Sequence, residues 1–234
     1  MTTVSLIRKE LKHYFYSPMA YVVICMFLVI TGWFFANSLF LRREAELRGM
    51  LDVMPLLLMF FMPAVTMRSI AEERKVDTIQ LVLTMPVREW QVTLSKYAAS
   101  LVLYAVTLAF SLFYPMLLYL LGSPDTGMIA ASYLALLLIG ASYISIGIFA
   151  STLTVNQVVA FITAFGIIFV LFVLSRLEML FPLWMQAWIE RVAVVPHFDN
   201  MLRGVIRSSD VVYFVTLNLL FLFLATYMLY RRRG

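Results

Sequence analysis

Cysteine, histidine and charge are what this chain has least of. One cysteine (Cys25) and two histidines (His13, His197) occur in 234 residues. A lone cysteine forms no internal disulfide, and within an apolar run its default role is packing. With so few soft ligands, a cysteine- or histidine-built metal centre has no material. Only 13% of residues are charged against 63% hydrophobic, and the mean hydropathy is +0.92. That balance lies outside the soluble range and inside that of multi-span membrane proteins. The motifs HExxH, GxSxG and GxxxxGK[ST] are missing as well. Their absence argues against a zinc hydrolase, a serine hydrolase and a P-loop nucleotide site.

What is present is long apolar runs. A bilayer crossing takes about 20 such residues, and the sequence predicts six spans, at 20–41, 53–67, 97–121, 129–152, 157–175 and 211–230. The second is short, and Pro115 is expected to kink the third. Residues 180–195 are apolar but interrupted by Pro182, Gln186, Glu190 and Arg191. They read as an interfacial or re-entrant helix rather than a seventh span. Residues 1–17 mix Arg8, Lys9, Glu10 and Lys12 with Leu6, Ile7, Leu11, Tyr14 and Phe15 at helical spacing. This predicts an amphipathic helix on the membrane surface, ended by Pro18. The apolar run that follows is too long for a cleaved signal peptide.

No Asp, Glu, Lys, Arg or His falls inside the six predicted spans. Ion-coupled transporters usually place ionisable groups at membrane depth, so a proton-driven mechanism is disfavoured. No pair of Gly/Pro-broken helices suggests an inverted repeat. Lys and Arg counts orient the chain. With 1–17, 68–96, 153–156 and 231–233 on one side, that side carries 11 against 7 on the other. Both termini are therefore expected in the cytoplasm. The net charge of +5 reflects topology, not nucleic-acid affinity.

Small residues recur at four-residue spacing in Ala141/Ser145, Gly147/Ser151 and Ala160/Ala164, the pattern of close helix contacts. Met54, Met59, Met62 and Met67 enrich the second span without sharing a face, which suits packing. Phe161, Phe165, Phe169 and Phe172 lie along one face of the fifth. Lipid contact or core packing accounts for them most simply. The functional alternative is the wall of an apolar substrate path at a subunit interface.

The one long charged connection is 68–96. Glu72 and Glu73 followed by Arg74 and Lys75 suggest the acidic start of a short helix near Ala71. Ile79, Leu81, Val82 and Leu83 form an apolar stretch, Thr84, Met85 and Pro86 break it, and a second helix begins at about Val87. Residues 67–74 read Met-Arg-Ser-Ile-Ala-Glu-Glu-Arg and residues 77–87 read Asp-Thr-Ile-Gln-Leu-Val-Leu-Thr-Met-Pro-Val. This pattern resembles the first cytoplasmic loop of ABC-2 type transporter permeases, with Asp77 where glycine is usual and Gln80 where glutamate is common. A second stretch is similar to the gliding-motility-type branch of that family: Pro196 to Asn200 as Pro-His-Phe-Asp-Asn, then Arg203, Gly204, Val205 and Ile206, then Asp210 to Phe214, and the closing Arg231, Arg232 and Arg233.

The resemblance implies an all-α membrane protein. It would have six transmembrane helices, an N-terminal interfacial helix (1–18), a cytoplasmic coupling helix (within 68–96) and a short external helical segment (within 176–210). These would form one domain over 1–234. It further implies a permease, expected to export, that pairs with a second copy or a homologous permease and docks a separate ABC ATPase subunit. By position, Arg68, Glu72, Glu73, Arg74, Asp77, Thr78, Leu81 and Thr84 are candidates for coupling, and the Phe161 to Phe172 row for the dimer interface. ATP and magnesium are expected on the partner, none on this chain. Lipid and an auxiliary external protein are further expected partners, nucleic acid is not, and the location is the inner or plasma membrane. Two alternatives are an ATPase-linked assembly subunit doing mechanical work without solute transport, and a secondary transporter.

Overall fold

The computed structural model describes residues 3–41, 47–75, 88–122, 124–177, 182, 186, 189 and 191–231. Ten α-helices are named here: α1 (Thr3–Tyr16), α2 (Pro18–Ala36), α3 (Arg48–Thr66), α4 (Arg68–Lys75), α5 (Glu89–Ser111), α6 (Phe113–Leu121), α7 (Thr126–Leu153), α8 (Gln157–Leu177), α9 (Val194–Leu202) and α10 (Ser208–Arg231). A π-helical turn, Asn37–Leu41, extends α2. No strand occurs among the described residues. Among the described residues, six helical stretches are long and apolar enough to cross a membrane: Pro18–Phe40, Arg48–Lys75, Glu89–Leu120, Thr126–Leu153, Gln157–Leu177 and Ser208–Arg231. They match the six expected runs in order. The second is longer than the sequence suggests, because helix begins at Arg48 and resumes at Arg68 after a break at Met67.

The bundle is organised around α7, which packs against α3, α4, α5, α8, α9 and α10. Every residue from 139 to 148 is buried. Small side chains make this central position affordable. Gly140, Ala141, Ser142, Ser145, Gly147, Ala150 and Ser151 keep α7 thin on several sides, so neighbouring backbones come close. Ala160 and Ala164 do the same for α8, and Met54, Met59 and Met62 fill the core as packing residues. Cys25, by contrast, is exposed on α2 rather than packed, since Ile24 and Phe27 hold the buried face.

Tyrosines tie the spans together through backbone carbonyls. Tyr104 Oη of α5 donates to the Leu136 carbonyl on α7 while its ring lies over Gly140. Tyr114 Oη of α6 donates to the Leu28 carbonyl on α2 at 2.6 Å, beside Gly32. In each case the glycine stands four residues past the accepting carbonyl, and any Cβ there would collide with the ring or hydroxyl. The expected kink is also visible. Pro115 has no amide proton to give the Ser111 carbonyl; Tyr133 Oη donates to that carbonyl instead, at 3.0 Å. The helix breaks at Leu112, between α5 and α6.

At the end of the bundle away from α1, α9 is the helical segment that falls within the expected external loop. It overlaps the expected 180–195 segment only at 194–195; half of that segment is outside the described residues. Val194, Val195, Phe198, Met201 and Leu202 are its buried face. His197 Nδ1 lies 2.7 Å from Asp210 Oδ1 and its ring stacks on Tyr213, with centroids 4.2 Å apart. This clips α9 to the first turn of α10.

Candidate functional site

The joint between α3 and α4 is made by a side chain from another helix. Ile70 and Ala71 are in the first turn of α4, where amides have no carbonyl within their own helix. Ser151 Oγ of α7 accepts from both amides, at 3.0 and 2.9 Å, and donates to the Met67 carbonyl at 3.2 Å. The hydroxyl thus sits inside the helical ladder and explains the break at Met67. Gly147, one turn earlier on α7, lets Thr66 approach so closely that an added Cβ would overlap the threonine hydroxyl. Arg74 Nη1 donates to the Thr152 carbonyl at 2.8 Å. That carbonyl belongs to the last turn of α7, where a cation complements the helix dipole. Three contacts therefore bolt α4 to the end of α7. Ser151→Ala is expected to leave two buried amides without an acceptor and to cost about 1–3 kcal/mol. Thermal unfolding of the purified protein measures it, and an unchanged midpoint would count against the joint.

On its other face α4 meets α1 and α5 through a buried charge cluster. Lys96 Nζ lies 2.8 Å from Glu73 Oε1 of α4 and 3.3 Å from Glu10 Oε1 of α1. The lysine side chain is only 3% exposed, the glutamates 14% and 21%. An ammonium taken this far out of water needs both charge neutralisation and hydrogen bonds, and the two carboxylates supply them. Tyr14 Oη of α1 shares a hydrogen bond with Ser100 Oγ at 3.0 Å. Burial pushes the Tyr14 phenol up from its ordinary value, so it acts as a neutral hydrogen-bonding group. Around these residues lies a cavity of about 310 Å³, whose lining includes Lys9, His13, Arg68 and Glu72. Its charges are mixed in sign, and no metal-holding group of His, Cys, Asp and Glu is found among the described residues.

The expected coupling residues divide accordingly. Arg68 and Glu72 line the cavity, Glu73 is in the charge cluster, and Arg74 holds α7. Asp77, Thr78, Leu81 and Thr84 lie outside the described residues. The expected acidic helix start is corrected: α4 begins at Arg68, so Glu72 and Glu73 are in its middle, and Arg74 and Lys75 form a basic last turn. The borrowed cap from Ser151 allows the earlier start. Sequence reasoning also treated Lys96 as a loop charge; it is a buried residue of α5. A signal existed. Val92, Thr93, Ser95, Lys96, Ala99, Ser100 and Leu103 form the buried face of α5, and a lysine on such a stripe requires carboxylates opposite. Phe161, Phe165 and Phe169 form a stacked row on α8, with centroids 6.2 and 5.7 Å apart, and Phe165 also packs on Phe60 of α3 at 4.8 Å. Phe172 is apart from the row's stacking and lines a second cavity at the α9 end.

A sequence profile described as ABC-2 family transporter protein matches residues 47–229. This chain belongs to that family. The ABC-2 match runs from the start of α3 to the last turn of α10, so it takes in α4, the Ser151 joint and Lys96. With its six apolar helices, the chain is a multi-pass membrane protein and an ABC transporter permease. Glu10 and Tyr14 of α1 lie before the matched region. No curated protein matches this ABC-2 permease.

Proposed function

We propose that this ABC-2 permease is the membrane subunit of an exporter driven by a separate ATPase subunit, which docks on the connection between α4 and α5. The observation that carries the proposal is the anchoring of α4. It is held to α7 by Ser151 and Arg74 and to α1 and α5 by Lys96. A push received between α4 and α5 is passed by these contacts to the central helix. ATP and magnesium would be bound by the partner, and this chain would have no ATPase activity of its own. The Lys and Arg distribution supports a cytoplasmic position for this end of the bundle and for both termini. Phe60 and Phe169 are 48% and 45% exposed, and the aromatic face they form on α3 and α8 is the surface proposed to meet a second permease.

Co-purification of this permease with a candidate ABC ATPase subunit tests docking. Arg68→Glu and Leu81→Asp avoid the buried charge cluster. Each is expected to lower ATPase retention, and its stimulation by the permease, at least about tenfold, as loss of a charged hydrogen bond or a desolvated anchor does. Wild-type retention and stimulation in both variants would sink the docking assignment.

A further inference from the structure

The second cavity, of about 290 Å³, opens at the end of the bundle away from α1. Five charged residues from three elements line it: Arg48 and Asp52 from the first turns of α3, Arg176 from the last turn of α8, Asp199 from α9, and Arg203, the residue that caps α9. Its inner wall is apolar, with Pro55, Phe198 and the fully buried Ile139 of α7. Among the described residues, no ion pair within 4.0 Å joins these arginines to these aspartates. The guanidinium groups therefore keep donors for something else. Three cations against two anions leave the site with an excess of one positive charge.

The cavity is continuous with an apolar track. Phe161, Phe165, Phe169, Phe172 and Arg176 succeed one another at steps of four, four, three and four residues, so they occupy one stripe of α8. The first three are aromatic rings along the apolar length of the helix; Phe172 and Arg176 enter the cavity. Hydrophobic rings leading to guanidinium groups trace the outline of an amphiphile with an anionic head. Arginine's planar fork matches the oxygens of a phosphate better than a point charge does.

We propose that this cavity seats the phosphate of a phosphate-bearing lipid, held by Arg48, Arg176 and Arg203, with its hydrocarbon leaving over Phe172, at the end of the phenylalanine row and clear of the face proposed to meet a second permease. The net positive charge fits a phosphodiester, which carries one negative charge. Asp52 and Asp199 set the floor of repulsion and accept from hydroxyls or an amine on the head. Partial burial raises the Asp199 carboxyl above its ordinary range, against the opposing pull of Arg176, Arg203 and Arg48 and with a push from Asp52. Its protonation as pH falls removes one negative charge from the cavity, so binding tightens toward acid pH.

The binding is independent of the ATPase proposal and is read without nucleotide. The full chain is purified in a maltoside detergent, which contains no phosphate, and titrated with dihexanoyl phosphatidylglycerol while its unfolding midpoint is followed. A saturable rise is expected. Arg176→Gln and Arg203→Gln should each weaken binding about tenfold. Asp199→Asn should tighten it about threefold, a gain that misfolding cannot produce. A dihexanoyl glycerol without phosphate should give no saturable rise. Equal stabilisation by that neutral lipid, or wild-type affinity in both arginine variants, overturns the site. Glycerol phosphate binding as tightly as the lipid overturns the amphiphile in favour of a soluble phosphoester.

Discussion

Lys96→Met is expected to destabilise the protein by about 3 kcal/mol, the lower end of what breaking a buried ion pair costs. The methionine keeps the length and apolar contacts of the side chain but removes the charge between Glu10 and Glu73. Those two carboxylates would then face each other across a site whose third member is 3% exposed. Their own exposure, 14% and 21%, lets water from the adjoining cavity relieve part of the repulsion, which is why the upper end is not reached. Glu73→Gln should cost more than Glu10→Gln, because the Glu73 contact is shorter, 2.8 against 3.3 Å. Thermal unfolding ranks the three. The triple variant Glu10→Gln, Glu73→Gln, Lys96→Met removes every charge together and should recover most of the loss. If it also recovers ATPase stimulation, the cluster is only structural. If stability returns and stimulation does not, the charges themselves carry the signal between α1, α4 and α5. A Lys96→Met protein as stable as wild type would refute the cluster's stabilising role.

Gly147→Val should be as damaging by a different route. Its side chain would enter space already filled by Thr66, whose hydroxyl donates to the Met62 carbonyl at 2.8 Å. Neither helix can yield cheaply. α7 is enclosed by six neighbours, and α3 is fixed at Met67 by the Ser151 hydroxyl one turn away. Overpacking of this kind costs about 1–3 kcal/mol and sometimes more. The displacement would also pull Ser151 from the Ile70 and Ala71 amides, adding a hydrogen-bonding penalty. Reduced expression of folded protein and a lower unfolding midpoint are expected. Thr66→Ala clears the hydroxyl and the methyl, so the double variant should be less destabilised than the sum of the two single changes. Strict additivity would mean that Thr66 is not what Gly147 accommodates.

The six spans were legible because apolar runs of the required length need no tertiary information. The kink at Pro115 followed from chemistry local to one residue, and the close contacts of Gly147/Ser151 from their four-residue spacing. What spacing did not reveal was the partner. Ser151 acts on amides some 80 positions earlier in the chain, and Glu10 reaches a lysine 86 positions later. Neither pairing leaves a local pattern. The start of α4 was misplaced for the same reason: acidic residues in a first turn are a common cap, but here the cap is borrowed from α7. The charge tally then assigned Lys96 to solvent, although the small and polar residues around it on α5 mark a buried face. The phenylalanine row was visible as a stripe, whereas its continuation into Arg176 gained meaning only when α3 and α9 brought further charges to the same cavity.

The break at Leu112 has a mechanical meaning. Tyr104 and Tyr114 pin the third span on either side of it, to α7 and α2, and Tyr133 holds the break itself. Lys96 lies about 24 Å along the helix from that point, and the far end of α6 about 14 Å beyond it, at 1.5 Å per residue. A span pinned there is a lever with an off-centre fulcrum. Its long arm ends at the charge cluster and its short arm near the opposite membrane face. Tilting the long arm would move the short arm in the opposite sense by about three-fifths as much, exchanging travel for force across the bilayer.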